Sequence, residues 1–414
     1  MSGWLRCCVV LTVCCLGSCS VGRAVVGEHG GGFGLPTCDP APECEPLEIA
    51  APEGVPEDDG TVDFSQCESA ATLCPGAATM PAGSTAARCT DLDAGWVRSF
   101  EAADALHELR CSGLRLSHKA ASGAHPIARV ELDVWDRAQI EVESDAPVTL
   151  ELAGGRVARV ALALRGPITL RIMDTEHLQD LRVTSDGTAQ IELTRVRGAS
   201  VAISAPQGSV WVRRSSLDRV RLAARRIDLE SSYVSDAAFR AEWLHAVDAT
   251  LLRVRSEVER SVLSACDVSM ATFSACQAWT AVQGRLSDVQ LAACAEEVSV
   301  YGSAVVRGQF EGDLLLDGAT LSAVVLGLGE VGAITTWDTQ LTSATFCADQ
   351  QSLSLGGFSA VRCARCDRRP GVALQACLLE GSETQVESSE SCEMLDMLAQ
   401  CGEAQPERMR PPRL

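Results

Sequence analysis

The chain has 414 residues and a formal net charge of −20. So acidic a chain is unsuited to binding nucleic acid, because phosphates require a basic surface. It is equally unsuited to electrostatic attachment to anionic lipid. Hydrophobic residues make up 46% of the chain but aromatic residues only 4%. A core of Val, Leu, Ile and Ala suits a narrow β-solenoid better than a large globular interior. The sequence contains no Asn, which excludes N-glycosylation and the asparagine ladders that line the turns of many β-helices.

Residues 1–18 have the features of a signal peptide. Arg6 precedes an apolar run over residues 7–16, which is too short to span a bilayer. The run ends in Leu-Gly-Ser-Cys19, which resembles the bacterial lipobox. The resemblance implies that Cys19 carries acyl chains and anchors an exported protein in the cell envelope, for which we expect the outer membrane. The alternative is an ordinary signal peptide cleaved nearby, although no Ala-x-Ala site follows.

After the leader, residues 19–37 are predicted to form a tether and residues 38–113 a cysteine-rich N-terminal segment. Clustered cysteines in an exported chain indicate disulfides, whose pairing the sequence does not determine. The candidates are Cys38, Cys44, Cys67, Cys74, Cys89, Cys111, Cys276, Cys294, Cys347, Cys363, Cys366, Cys377, Cys392 and Cys401. Cys363-Ala-Arg-Cys366 is a C-x-x-C motif for which a zinc site and a redox pair are the alternatives. It lacks the second ligand pair and the βαβ context that these require.

A repeat begins near residue 130, with apolar residues at offsets 0, +2, +7, +10 and +12. All five positions are apolar in the stretches that begin at Leu150, Ala189, Val210, Ile227, Trp279 and Leu314. Other predicted coils start at positions 130, 170, 244, 261, 298, 334 and 353. The fit is imperfect in several of them: the coil from Val130 has Arg137 at +7, the turn near Leu170 needs one extra residue, and the turn at Leu353 needs two fewer. An offset of two places both residues on one face of a strand, and a period of roughly 18–19 residues indicates a solenoid.

We therefore predict an all-β fold, a parallel β-helix over residues 114–366. The uneven spacing favours a right-handed coil and resembles the right-handed parallel β-helices of the pectate-lyase type, while the short coil resembles that of bactofilins. This resemblance is architectural. Residues 367–414 are predicted to form a disulfide-stapled cap and tail. Its helix is expected within residues 370–401 and to start at Ser389 or Ser391.

Outward-facing residues at one offset form columns on a solenoid. Offset +3 aligns Tyr301, Asp317 and Trp337 in successive coils. Two aromatic rings beside a carboxylate suit the binding of a sugar ring, and the alternative is that the rings shield neighbouring strands.

A cluster of carboxylates is a second candidate site. Its oxygen atoms are the ligands that calcium prefers, although acidic clusters are also common on solvated surfaces. The members are Glu131, Asp133, Glu141, Glu143 and Glu151. No other cofactor is expected.

No arrangement of residues in the sequence indicates catalysis. We expect a non-enzymatic envelope lipoprotein with a structural, adhesive or protein-binding role. Its expected partners are the membrane, through the lipid anchor, and envelope proteins or glycans. The first alternative is a carbohydrate-binding or carbohydrate-active β-helix, and the second is a bactofilin-like polymer, which the leader and the cysteines speak against.

Overall fold

The structure is a computed structural model. It describes residues 147–153, 156–274, 277–292, 297–326, 332–347 and 350–367, together with flanking strands within residues 114–144 and 373–400. The leader, Cys19, the tether and the cysteine-rich segment up to residue 113 lie outside the described residues, as do the predictions made for them.

The described residues form strands that pair in parallel, each with the strand one coil further along the chain. The strands in chain order are β1 (Leu114–His118), β2 (Ile127–Glu131), β3 (Val134–Asp136), β4 (Gln139–Ser144), β5 (Val148–Ala153), β6 (Arg156–Arg165), β7 (Ile168–Met173), β8 (His177–Ser185), β9 (Gln190–Thr194), β10 (Arg197–Arg213), β11 (Ser216–Glu230), β12 (Tyr233–Val247), β13 (Thr250–Ser264), β14 (Asp267–Ser274), β15 (Ala278–Val282), β16 (Arg285–Ala292), β17 (Glu297–Tyr301), β18 (Ala304–Phe310), β19 (Leu314–Asp317), β20 (Thr320–Ser322), β21 (Val325–Leu326), β22 (Gly332–Trp337), β23 (Gln340–Thr342), β24 (Thr345–Cys347), β25 (Gln350–Gly356), β26 (Ala360–Asp367), β27 (Ala373–Leu378), β28 (Gln385–Ser388) and β29 (Ala399–Gln400).

These strands build a parallel β-solenoid of about 10 turns, which confirms the predicted fold class. We call the wall through offsets 0 and +2 of each coil the first wall and the wall through +10 and +12 the second wall. A short third wall passes through +7. In the first wall Val210 pairs with Ile227, and Leu244 with Ser261, so each inward position stacks on its equivalent one coil away.

Alternation along each strand separates the core from the surface. In β7, Leu170 and Ile172 are fully buried, whereas Arg171 and Met173 between and beside them point outward. The inward residues from Leu150 to Val361 form one continuous hydrophobic core. Burial of each such aliphatic side chain contributes about 1.5–3 kcal/mol, and neighbouring coils supply most of the contacts. A coil is therefore stable only within the stack.

Two corners of each coil are made by a residue with positive φ. The first column, at offset +4, is Asp174, Arg195, Arg214, Ser231, Asp248, Ala265, Gln283, Gly302, Gly318, Asp338 and Gly357. The second column follows the third wall and includes Arg219, Asp236, Arg253, Asp288 and Arg307. The left-handed conformation is costly for L-residues. Hydrogen bonds between coils offset the cost, because the N–H of Arg214 donates to the carbonyl of Glu230 at 2.9 Å and its equivalents do the same.

A ladder of buried hydroxyls follows the first corner at offset +5, where a chain without Asn cannot build an asparagine ladder. The hydroxyl of Ser215 accepts a hydrogen bond from the N–H of Val196 in the preceding coil at 3.0 Å and donates to the carbonyl of Arg213 at 2.7 Å. The equivalent rungs are Thr175, Ser232, Ser303, Thr339 and Ser359. The hydroxyls thus satisfy backbone groups that the turn would otherwise leave buried without partners.

The first predicted coil begins two residues earlier than its sequence register suggested. Ala128, and not Val130, pairs with Leu150. Position +7 of this coil is then Trp135, which pairs with Val157, and not Arg137, which lies outside the described residues.

The coil predicted from Ala189 has the opposite error. Ile191 is the residue that pairs with Leu170 and Val210, so the predicted start was two residues too early. Position +7 of this coil is Gly198, which pairs with Leu178. A Cβ atom on Gly198 would lie 2.3 Å from the carbonyl oxygen of Leu178, and this close approach of the two strands requires glycine.

The two irregular turns have different outcomes. The extra residue near Leu170 is confirmed, because Leu178 pairs with Val157 and lies eight residues after Leu170 instead of seven. The shortening at Leu353 is wrong. Val361 pairs with Leu341 and also lies eight residues along, so this turn is longer by one.

The predicted C-terminal helix is wrong wherever the structure describes that region. Strands β27, β28 and β29 occupy parts of residues 370–401, and each pairs in parallel with the preceding coil. The solenoid therefore continues past residue 366. Open strand edges of the last coil favour further pairing over a helix. Ser389 and Ser391 lie outside the described residues.

Candidate binding wall

The outward residues of the first wall form three columns, at offsets −1, +1 and +3. We call the face that they make between the coils of Val210 and Leu353 the outer first wall. Large hydrophobic side chains occupy some of these positions, and most of the others are polar or charged. They are Trp211, Trp243, Val247, Val262, Val282, Leu315 and Trp337. Trp243 is exposed, and the other six are half-buried.

Two arginine–tryptophan stacks mark one end of this wall. The guanidinium of Arg213 lies 4.8 Å from the ring centre of Trp211, and that of Arg260 lies 5.3 Å from the ring of Trp243. Trp243 is 42% exposed and stands between Arg226 and Arg260 in the −1 column. A guanidinium over an indole face is attracted by the ring quadrupole, which holds it in place.

The arginines at this end differ in their ionic partners. Arg213 pairs with Glu230 at 3.2 Å, and Arg226 pairs with both oxygens of Asp228 at 2.7 and 2.8 Å. Arg260 has no carboxylate partner in the part of the chain that the structure describes. Its donors face solvent from a side chain already oriented by Trp243, an arrangement suited to an external anion.

The other end of the wall contains the predicted column at offset +3. Tyr301 pairs in register with Asp317, and Asp317 with Trp337, so the three residues are neighbours as the sequence predicted. Tyr301 is only 7% exposed, so its ring is covered. Trp337 and Asp317 are half-buried.

Asp317 is the most unusual group of this column. Burial raises the pKa of Asp317, and the neighbouring Asp338 carboxylate raises it further. Within the described residues nothing donates a hydrogen bond to its carboxylate. Burial also raises the pKa of Tyr301, against the effect of a hydrogen bond with Ser299. A half-buried carboxylate without a partner is suited to an external cation or hydroxyl group.

Reasoning from the sequence found this column but missed the arginine–tryptophan stacks. It considered only offset +3, whereas Trp243 lies at −1 and Trp211 at +1. Residues at offsets −1, +1 and +3 all recur once per coil, so the repeat that reveals one column reveals the other two. Reading the −1 and +1 positions of each coil would have brought Trp211, Trp243 and Arg260 together.

The cysteine predictions lie outside the described side chains. Cys347, Cys363, Cys366 and Cys377 fall in strands β24, β26 and β27, and the disulfide candidates stay predictions. Cys266 is a free buried thiol that occupies a rung of the hydroxyl ladder. Its Sγ lies 3.3 Å from the carbonyl oxygens of Ser264 and Ala246. Burial raises the pKa of the Cys266 thiol, which disfavours the reactive thiolate.

The acidic cluster proposed for calcium is described only in part. The side chain of Glu151 is paired with Arg171 at 3.1 Å, and Arg171 also bonds to Glu192 at 3.1 Å. The other members lie outside the described side chains. Among the described residues, no group of three His, Cys, Asp or Glu side chains is placed to hold a metal ion.

The fold is a parallel β-solenoid, and its outer first wall carries aromatic and charged side chains. No family model matches the chain, and neither a curated protein nor a solved structure is similar to it. Within the described residues no helix has the length and apolarity needed to cross a membrane.

Proposed function

We propose that this chain is a non-enzymatic, lipid-anchored scaffold of the bacterial cell envelope, with a structural, adhesive or protein-binding role. The observation that carries the proposal is the unbroken register of the coils, which holds outward side chains in fixed columns along the outer first wall. Repeat proteins use such extended, regular surfaces to bind partners. The leader and Cys19 supply the proposed export and anchor.

The anchor is tested by labelling cells with a palmitate analogue and separating membrane from soluble fractions. The wild-type chain is expected to carry the label and to stay in the membrane fraction. Cys19→Ser is expected to lose the label, whereas the control Cys15→Ser, which changes the leader cysteine just before the lipobox, is expected to keep it. Label retained in Cys19→Ser would contradict the proposal.

The absence of catalysis is tested with the purified full-length chain and a panel of neutral and acidic polysaccharides. The scaffold proposal expects no release of reducing or unsaturated ends above that of a heat-denatured sample. Turnover of any polysaccharide would contradict the scaffold proposal and show that the protein is an enzyme.

A carbohydrate-binding role is the second candidate, because the register places Tyr301, Asp317 and Trp337 side by side. Trp337→Ala is expected to abolish retention on the glycan that the wild type binds. The matched control is Tyr233→Ala, which removes a 41% exposed ring from the third wall. Binding that survives in Trp337→Ala, or that is equally weakened in Tyr233→Ala, would remove this candidate.

A further inference from the structure

The turn of the coil at Leu353 contains one residue more than the turn of the coil before it. The extra residue is Phe358, which lies between Gly357 at the first corner and Ser359, a rung of the hydroxyl ladder. Its side chain is 74% exposed, more than that of any other large hydrophobic residue that the structure describes. The inserted ring therefore adds little to the packing of the solenoid.

Asp338 fixes the position of this turn. The N–H of Phe358 donates to Oδ1 of Asp338 in the preceding coil at 2.8 Å. A Cβ atom on Gly357 would collide with the same carboxylate, so this close approach of the two coils requires glycine. Phe358 is thus held beside Asp338, and Asp338 follows Trp337 directly in the chain.

Asp317 completes a group of four residues. It pairs in register with Trp337. Burial raises the pKa of Asp317, and the Asp338 carboxylate is near enough to raise it further. We call Asp317, Trp337, Asp338 and Phe358 the corner site. Its two carboxylates repel each other, and two aromatic residues lie next to them.

Glycines surround the corner site within the stack. The residue that pairs with Trp337 in the next coil is Gly356, and the corner positions before and after Asp338 are Gly318 and Gly357. These positions contribute no side chain that could pair with the carboxylates or cover them.

The surrounding sequence supplies no cation to the corner site. Arg307 is the only basic residue between positions 297 and 361, and it lies at the second corner, where it pairs with Asp288 at 2.7 Å. Within the described residues nothing donates a hydrogen bond to the Asp317 carboxylate. Carboxylates elsewhere on the solenoid, such as Asp267, are paired with arginine. The corner site thus lacks the kind of partner that the rest of the solenoid provides.

The composition of the corner site is suited to a guanidinium group. A guanidinium pairs with a carboxylate through two parallel hydrogen bonds and stacks on an aromatic face. Its charge would also offset the repulsion between Asp317 and Asp338. A neutral sugar would leave that repulsion in place, and the neighbouring Tyr301 ring is only 7% exposed. A metal ion is less well suited, because no third His, Cys, Asp or Glu side chain among the described residues joins the two carboxylates.

We propose that the corner site binds an arginine side chain of a partner protein. The inference rests on the proposed function, because it names the chemistry of the partner that the scaffold would bind. The partner's segment is expected to be basic. The formal charge of −20 on the chain favours the approach of such a segment.

The test is fluorescence anisotropy of a labelled peptide mixed with the full-length, detergent-solubilised protein at physiological ionic strength. One peptide carries several arginines separated by glycine and serine. The other carries citrulline, which has nearly the same shape without the charge, at the same positions. The wild type is expected to bind the arginine peptide and not the citrulline peptide.

Four variants connect this binding to the corner site. Asp317→Asn and Asp338→Asn keep the shape of the side chain and remove its charge. Each is expected to raise the dissociation constant of the arginine peptide at least ~10-fold, because a hydrogen bond between charged groups is lost. Phe358→Ala and Trp337→Ala are each expected to raise it roughly 3–5-fold through the loss of an aromatic face.

Matched controls separate the corner site from the charge of the whole chain. Asp186→Asn removes one charge from an exposed aspartate near the other end of the stack, and Tyr233→Ala removes an exposed ring from the third wall. Both are expected to bind the arginine peptide as the wild type does. Asp317→Asn is expected to melt at the same temperature as the wild type or higher, because it removes a charge that burial and Asp338 disfavour. A merely structural role for Asp317 would instead lower its melting temperature.

A wild type that binds neither peptide, or binds both equally, would overturn the inference. So would a loss of affinity in Asp186→Asn equal to that in Asp317→Asn. Retention of a neutral glycan that Trp337→Ala abolishes, without binding of the arginine peptide, would overturn it in favour of a sugar. A chain that is palmitoylated and inactive on polysaccharides but does not bind the peptide would leave the proposed function standing. A chain that binds the peptide but carries no lipid label would do the reverse.

Discussion

At the scale of single residues, the solenoid depends on where it places hydroxyl groups. Ser215 and Ser232 occupy the corner ladder, where each bonds to backbone groups of its own and the neighbouring coil. Ser256 and Ser261 point into the core, and their hydroxyls have no partner there. The same residue type is thus stabilising at one position and unfavourable at the other, because burial of an unpaired hydroxyl is costly.

Ser215→Ala is expected to lower the free energy of unfolding by about 1–3 kcal/mol, because the N–H of Val196 loses its buried acceptor. Urea denaturation of the variant and the wild type measures the difference. The neighbouring Ser216→Ala, at a half-exposed position, is the control and is expected to change stability by less than about 0.5 kcal/mol. Equal losses of stability in both variants would contradict a stabilising role for the hydroxyl ladder.

Ser256→Ala is expected to have the opposite result in the same measurement. Its hydroxyl is buried without a partner between Phe239 and Phe273, so its removal relieves a desolvation cost. We expect stability to stay the same or to rise by up to about 1 kcal/mol. A loss comparable to that of Ser215→Ala would show that the hydroxyl has a partner.

Asp236 gives the solenoid a pH dependence. Its carboxylate forms a bidentate pair with Arg253 at the second corner, and this hydrogen bonding holds the pKa of Asp236 below its usual value, against the effect of burial. The folded state therefore binds the proton more weakly than the unfolded state, where the pKa is about 3.9. The stabilisation is complete above that value and is lost as the pH falls through the lower, folded pKa.

Asp236→Asn removes this titration. The variant is expected to be less stable than the wild type at pH 7 and to lose less stability between about pH 5 and pH 2. Thermal melting across that range measures both quantities. An acid dependence identical to that of the wild type would show that the pair contributes nothing.

At the scale of strands and coils, the sequence predicted the type of each element better than its register. Side chains in a strand alternate with period two, so a shift of two residues keeps every inward position inward. The coils at Ala128 and Ile191 were misplaced by that shift, because only their pairing with Leu150 and Leu170 distinguishes the alternatives. A long-range hydrogen bond is not visible in a local pattern.

The C-terminal prediction failed for a related reason. The apolar spacing of residues 370–401 suggested a helix, but the open edge of the last coil offers backbone partners that a helix cannot use, and β27 pairs with β25.

One part of the candidate site could be predicted from the sequence and the other could not. The column at Tyr301 followed from the period, whereas the stacking of Arg260 on Trp243 joins two coils at offset −1 and depends on side-chain directions that the period does not give.

The aromatic cluster inside the coils at Ser261, Trp279 and Val298 is expected to dominate local stability. The Trp279 ring meets Phe273 edge-on at 5.7 Å and Phe310 at 6.4 Å, and it is fully buried. Trp279→Ala is expected to cost about 3–5 kcal/mol in urea denaturation. The exposed Tyr233→Ala is the control, and a cost for Trp279→Ala below about 1 kcal/mol would contradict this packing.

At the scale of the whole molecule, the chain combines a formal charge of −20 with an outer first wall that carries arginines as well as carboxylates. Most ionic groups of the described coils are paired on the surface, as Asp174 is with Arg195 and Asp267 with Arg285. Exposed pairs of this kind contribute little to stability. On the outer first wall, Arg260 and Asp317 have no ionic partner among the described residues.

The central claim is that the protein acts through contact at the outer first wall. The most direct test replaces Thr280, in the middle of that wall, with a photo-crosslinking amino acid and irradiates the protein in intact cells. The control carries the same amino acid at Thr272 on the second wall. Both positions are half-buried and face outward. Irradiation is expected to give a protein adduct from Thr280 and none from Thr272. No adduct from Thr280, or equal adducts from both positions, would contradict the account.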